Sequence, residues 1–409
     1  MKRVVITGVG ALSPLGHDWP TVRAQLKAER NVVQYLTAWD EYEGLNTRVG
    51  ARAAPFELPA HYNRKATRSM GRVAVLGVRA SELALMDAGL LGDPLVSSGL
   101  MGISYGSSVG SPAAIGDFGN MITRKTTEGI TANTYIKMMS HTAAVNIGVF
   151  FGVTGRVITT SSACTAGSQG IGYAFEAIQT GRQVAMLAGG AEELDAIDAA
   201  VFDTLFATST LNDQPHLTPR PFDAQRDGLV LGEGACTLVL EELTHAQARG
   251  ARILGEIIGF GTNCDGTHVT QPNTRTMAQA MRLALSSAGL PPEAIGYVNA
   301  HGTATDHGDV AESNATAEVF GSRMPISTLK SYMGHTLGAC GALEAWMSLE
   351  MMRDGWFAPN INLETVDPRC GDLDYIRAGG RHIETDTIMS NNFAFGGINT
   401  SLILRRWFD

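Results

Sequence analysis

The sequence predicts an α/β fold in which strands and helices alternate in layers. Three observations predict it. Short apolar runs alternate with longer helical stretches from one end to the other. Four of the helical stretches close with glycine just past their last residue, at Gly89, Gly181, Gly289 and Gly355, the usual left-handed cap. No short repeat and no low-complexity linker interrupts the 409 residues, which excludes solenoids and propellers.

The elements follow in order. Residues 4–7 form an apolar strand ending in a glycine turn. The opening Met1-Lys2-Arg3 before apolar residues faintly resembles a secretory signal. It lacks a small-residue cleavage site and is broken by glycines, so it reads as a buried strand. Helical spacing covers 70–88, 141–151 and 165–180, with strands at 102–105, 157–160, 184–188 and 237–241. A second series has strands at 253–260, 297–299, 326–328, 387–391 and 398–405, with helices at 274–288, 310–320 and 335–354. Each series carries a reactive residue at the expected start of a small-residue helix: Cys164 before Thr165-Ala166-Gly167, and His335 before Thr336-Leu337-Gly338. The boundary between the halves, 1–250 and 251–409, is placed in the turn at Gly250.

Composition removes several function classes. The formal charge is 31 − 40 = −9, which disfavours a general nucleic-acid binder. The five cysteines include no CxxC pair, so neither a zinc site nor a disulfide framework is indicated, and free thiols suit a reducing cytoplasm. No apolar run approaches the roughly 20 residues of a spanning helix. Glycine is in excess, at 47 residues, for which turns and close backbone approaches are the reason.

Four segments carry chemistry-bearing residues. An apolar strand leads into Ser161-Ser162-Ala163-Cys164, the layout of a nucleophile elbow, in which a helix N-terminus lowers the thiol pKa. A buried cysteine acting as a small hydrophobe has the same local sequence. His301 ends a strand, and Thr303 and Thr305 follow at alternate positions, able to line one channel for a polar arm or to make a strand-end turn. Lys330 and His335 follow another strand. An imidazole at a helix start is biased towards neutral, as a hydrogen-bond donor or as a plain cap. Phe395-Gly396-Gly397 lies between two strands, as a gating loop or as a bulged connection. One cysteine with two histidines fits acyl transfer, a thiolate attacking while imidazoles donate to a developing oxyanion. No metal set is expected, since no third-ligand pattern accompanies the histidines.

At these segments the sequence resembles the elongating β-ketoacyl-acyl-carrier-protein synthases. The likeness runs from VVITGVGALSPLG at the start to NNFAFGGINTSLIL at the end, through Ala188-Gly-Gly-Ala-Glu192, Arg220-Pro-Phe-Asp223, Arg226-Asp227-Gly228 and Leu231-Gly-Glu-Gly234. The resemblance implies the thiolase fold, five layers αβαβα with two pseudo-symmetric halves. It implies a dimer, either of two copies or with a related ketosynthase or chain-length-factor subunit. It implies a catalytic Cys164, His301 and His335, a supporting buried pair Lys330 and Glu344, and an oxyanion hole from the N–H groups of Cys164 and Phe395. Thr303 and Thr305 correspond to pantetheine contacts, Phe395 with Gly396 to the gate, and Arg64, Lys65 and Arg68 to the docking site for an acyl carrier protein. For the last three a solvated charged face is the other reading.

The implied reaction loads an acyl chain on Cys164, decarboxylates malonyl-carrier and joins the two into a 3-ketoacyl-carrier, with no free cofactor because phosphopantetheine arrives on the carrier. Fatty acid elongation and a dedicated polyketide or polyene pathway both fit, and a non-catalytic partner subunit is the alternative. Cys340 reads as helix packing. Met333 stands where the family has a hydroxyl. Residues 133–139 and Tyr105 suggest either an altered acyl pocket or interface packing.

Overall fold

The computed structural model describes residues 1–408. Eleven strands form its main sheet: β1 Val4–Leu12, β2 Met101–Gly106, β3 Val157–Thr159, β4 Ala185–Glu192, β5 Gly234–Glu242, β6 Gly255–Cys264, β7 Val298–Asn299, β8 Pro325–Ser327, β9 Asp374–Tyr375, β10 Thr387–Phe393 and β11 Ile398–Arg406. Their order is β9-β8-β7-β10-β11-β6-β1-β5-β4-β2-β3. β1 joins the two series, pairing Val4 with Glu242 on one side and with Ile257 on the other. Away from that joint the pattern repeats. β1-β5-β4 and β6-β11-β10 are antiparallel, and β4-β2-β3 and β10-β7-β8 are parallel. The predicted strands are all present, most of them longer than their apolar cores.

Seven helices build the other layers: α1 Arg72–Asp87, α2 Thr142–Phe151, α3 Ala166–Gln179, α4 Ala196–Asp203, α5 Thr274–Ala288, α6 Asp306–Phe320 and α7 Cys340–Asp354. α3 and α7 pack on each other, with α3 against β2 and β4 and α7 against β10. α1 and α2 cover the outer face of the first half and α5 and α6 that of the second, giving the five αβαβα layers. Every residue of α7 from Cys340 to Met352 is buried, as expected of a helix with small and apolar residues on all sides.

Two helix boundaries differ from the sequence reading. α6 begins at Asp306 rather than 310, because polar Asp309 and Glu312 are buried on its inner face and do not break the helix. α7 begins at Cys340, five residues after His335. Gly334 at φ +68° and Leu337 at φ +45° keep the chain out of a regular helix. His335 instead bridges to Leu231, its N–H donating to Val230 and its C=O accepting from Gly232. Tyr105 is fully buried in the core of the first half, its hydroxyl donating to the Gly190 carbonyl at 3.1 Å, and does not line the cavity that contains Cys164. No helix among the described residues is long and apolar enough to cross a membrane.

Candidate active site

Cys164 sits in a single 3-10 turn, Ala163–Thr165, between β3 and α3. The elbow is real: Ala163 takes φ +52°, a left-handed conformation costly for a residue with a Cβ. The close approach of the two halves needs glycine here. A Cβ on Gly167 would lie 2.9 Å from the Gly338 carbonyl oxygen, so the first turn of α3 rests directly on the chain leading into α7. The glycines after Cys164 therefore permit close packing of α3.

The structure brings Cys164, His301 and His335 together. The sulfur and a ring nitrogen of each histidine lie within 4.8 Å of one another, and all three residues are buried. The two imidazoles meet edge to face with centroids 5.0 Å apart. His335 Nδ1 accepts from the Leu337 N–H at 3.2 Å, so the neutral ring carries its proton on Nε2. That Nε2 has no partner among the described residues, a buried donor open to whatever enters. His301 Nδ1 faces the Asn392 amide nitrogen at 3.4 Å, which orients its ring in the same sense.

Electrostatics corrects two expectations. Burial, with the nearby Lys330 charge, holds both imidazoles well below the usual histidine range; a helix dipole is not the cause. Burial also pushes the Cys164 thiol up to about 11. The Lys330 charge and the N–H groups of Phe395 and Cys164 pull it down without overcoming burial, so the resting group is a thiol, contrary to the lowered pKa expected of the elbow. Lys330 Nζ lies 2.5 Å from Glu344 Oε1, and both side chains are at most 1% exposed. Burial works against the Lys330 charge, and the Glu344 carboxylate outweighs it, so the lysine is held above its ordinary range. A fixed cation beside the cluster suits an anion formed in reaction better than a bound metal ion.

These groups open on a cavity of about 410 Å³. Thr303 and Thr305 line it with their hydroxyls 3.0 Å apart, as expected, though a left-handed Ala304 at φ +66° and not strand alternation brings them together. Phe395 lines it too, its ring packed on Phe202 at 5.0 Å. Gly396 and Gly397, behind Phe395, both take positive φ. Arg64, Lys65 and Arg68 are exposed on and just after the short helix Arg64–Thr67, and none of them lines the cavity.

Several residues that shape the site were given no role from the sequence. Glu312 accepts the His301 and Gly302 N–H groups, both at 2.7 Å, and Asp309 those of Thr303 and Ala304. Their i, i+3 spacing on one face of α6 was the available signal. Glu192, at the end of β4, receives Ser108 and Gly338 N–H groups and so ties the two halves together beside the cluster. Asn392 links Glu344, at 2.8 Å, to His301. Cys340 opens α7 as packing, and its thiol also donates to the Cys164 carbonyl at 3.2 Å.

Comparison with known proteins agrees with this geometry. The family model described as beta-ketoacyl synthase, N-terminal domain, matches residues 1–246, and that of the C-terminal domain matches 254–364. The chain is 36% identical to the 3-oxoacyl-[acyl-carrier-protein] synthase 1 of Escherichia coli strain K12, over all of both chains. It superposes on the crystal structure of a beta-ketoacyl synthase from Burkholderia phymatum STM815 with TM-score 0.98 and 61% identity, all of both chains being covered. It is also similar to the ishigamide ketosynthase/chain length factor, at TM-score 0.88 and 31% identity over all of both chains. With the thiol and two imidazoles gathered in one cavity, and with both family models placed along the chain, the protein belongs to the beta-ketoacyl synthase family.

Proposed function

We propose that the protein catalyses decarboxylative condensation of malonyl-carrier with an acyl chain held on Cys164. The observation that carries this reading is the buried cluster of one thiol and two neutral imidazoles, with two backbone N–H groups facing the sulfur. In the first half-reaction Cys164 Sγ attacks the carrier thioester. The N–H groups of Cys164 and Phe395 hold the developing oxyanion, and the thiol proton leaves with the carrier sulfur, so no net proton is taken up. In the second, malonyl-carrier loses carbon dioxide and leaves an enolate. His335 Nε2–H, with His301 beside it, donates to the enolate oxygen; a neutral donor suits this because it need not be re-ionised each cycle. The carbanion then attacks the acyl-Cys164 carbonyl, the C–S bond breaks, and the departing thiolate takes one proton from solvent, the net proton that decarboxylative condensation consumes. A thiol pKa near 11 favours that last step.

Lys330 and Glu344 keep the cluster positively biased, Thr303 and Thr305 receive the pantetheine amides, and Phe395 with Gly396 gates the entrance. Arg64, Lys65 and Arg68 form the carrier-docking patch. No free cofactor takes part, because the phosphopantetheine arrives on the carrier. The chain acts as two halves, 1–250 with the nucleophile and 251–409 with the histidines, in a cytoplasmic dimer. β3 is the edge of the main sheet, with Val157 45% exposed, and offers a second ketosynthase-like chain a strand to pair with. Cys164 with both histidines in place weighs against a non-catalytic partner subunit.

The test is mass spectrometry of the protein after incubation with an acyl-carrier, followed by addition of malonyl-carrier. An acyl adduct on Cys164 that is consumed as 3-ketoacyl-carrier forms, and that Cys164→Ala lacks, is the expected result. Absence of the adduct would overturn the catalytic reading. A panel of saturated and polyunsaturated acyl-carriers then separates fatty acid elongation from a polyketide or polyene pathway.

A further inference from the structure

The turn that carries Cys164 is strained at Ala163, φ +52°, and hydrogen bonds tie it down. Three of them are local. The Thr165 N–H and hydroxyl both donate to the Ser162 carbonyl, and the Thr160 hydroxyl donates to the Ala166 carbonyl at 2.8 Å. Another comes from the opposite half, from the first residue of α7. The Cys340 thiol donates to the Cys164 carbonyl at 3.2 Å, across 176 residues of sequence.

The same thiol faces the group that orients His301. Asn392 Nδ2 lies 3.5 Å from the Cys340 sulfur, donates to Glu344 Oε2 at 2.8 Å and faces His301 Nδ1 at 3.4 Å. Lys330 closes the chain on Glu344. Cys340 thus joins the backbone of the nucleophile to the charged pair and to one imidazole. It is fully buried, and burial holds its thiol well above the ordinary cysteine range, so the donor keeps its proton. Ala339 and Ala342, also fully buried, fill the same stretch with methyl groups. What the sulfur adds there is a hydrogen-bond donor.

We infer that Cys340 is a positioning residue for the nucleophile: by holding the Cys164 carbonyl it sets the direction of the Cys164 sulfur and N–H relative to the histidine half. This rests on the acyl transfer to Cys164 proposed above and adds to it the group that aligns the attack. Acyl transfer needs that alignment. The thioester oxygen must sit on two N–H groups while the sulfur reaches the carbonyl carbon. Alkylation by a small reagent needs the thiolate but no oxyanion donor, so it is indifferent to the alignment.

The test compares wild type with Cys340→Ala, which lacks the donor, and Cys340→Ser, which keeps one. Two rates are followed by mass spectrometry of the Cys164 peptide: acyl transfer from an acyl-carrier, and alkylation by iodoacetamide between roughly pH 7 and 9. Cys340→Ala is expected to lower the saturated acyl-transfer rate by about fivefold, the effect of losing one neutral hydrogen bond, with KM for the acyl-carrier changed by less than about twofold. Its alkylation rate, and the rise of that rate with pH, should stay within about twofold of wild type. Cys340→Ser should recover most of the acyl-transfer rate. Cys340→Val, which also lacks a donor, serves the same comparison if Cys340→Ala does not fold. An equal fall in both rates would mean that the substitution disturbs the thiol or the turn at large, and would overturn the inference. So would an unchanged acyl-transfer rate without the donor, or a Cys340→Ser variant as slow as the donorless one; either returns Cys340 to packing. Absence of an acyl adduct on wild type, with alkylation intact, is the separate failure of the proposed activity and overturns both.

Discussion

The ring of His301 stands edge-on to that of His335, 5.0 Å away at 89°, and both rings are buried beside the Lys330 charge. Two cations cannot form at that distance in a dry site that already holds one. The pair is neutral at working pH because of what surrounds it. Stability should register this. In the unfolded chain both histidines bind protons near pH 6.5, whereas in the fold they bind them only well below it. Their contribution to stability is therefore complete above that pH and lost as pH falls towards the folded values. His335→Asn should flatten the fall in Tm with acidification below about pH 6.5, measured by calorimetry against wild type. An unchanged slope would mean that His335 is not held neutral.

Cys164 gives a prediction of opposite sense. Its thiol is pushed up to about 11 by burial, so the thiolate fraction grows with pH throughout the ordinary range. Alkylation by iodoacetamide should accelerate by close to tenfold per unit between roughly pH 7 and 9, without a plateau. A rate that levels off near neutrality would show a preformed thiolate.

Lys330 and Glu344 are worth more to the site than to the fold. Lys330→Met leaves the Glu344 carboxylate buried without its cation and should destabilise the protein by about 3–5 kcal/mol in urea unfolding. Adding Glu344→Leu should recover much of that stability without recovering condensation, because the charge beside Cys164 stays absent. Recovery of activity in the double variant would remove Lys330 from the mechanism.

The gate glycines should differ from each other. Gly396 and Gly397 take φ +88° and +74°, so alanine strains either by about 1–2 kcal/mol. A Cβ on Gly397 would also lie 2.7 Å from the Asp265 Cβ, whereas one on Gly396 meets open space. Gly397→Ala should therefore displace Phe395 and lower kcat by more than Gly396→Ala does. Equal kcat values in the two variants would separate the gate from this packing.

Arg64 and Lys65 are exposed and line no part of the cavity. Reversing both to Glu should raise KM for carrier-borne substrates and weaken its dependence on salt, with kcat on free pantetheine thioesters retained. Kinetics identical to wild type at low salt would return these residues to the solvated surface.

The sequence by itself determined the order of elements, the fold class and the positions of the reactive side chains. Apolar periodicity marks which face of each segment is buried. The sequence also located the elbow before α3, since only small residues allow so tight a turn between a strand and a helix. The tertiary structure decided the ionisation of the site. Neutral imidazoles follow from burial and from Lys330, and a protonated thiol from burial that outweighs Lys330, which lies 166 residues from Cys164 and 29 from His301 in the sequence. It decided that His335 sits in an isolated bridge to Leu231, a long-range pairing that overrides the helical tendency of the residues after it. It also decided that Glu192, Glu312 and Asn392 face inward to hold the reactive loops. The physical reason is common to all of these. Local pattern fixes backbone and burial face, whereas desolvation and charge depend on distant segments that meet only when the two halves close on each other.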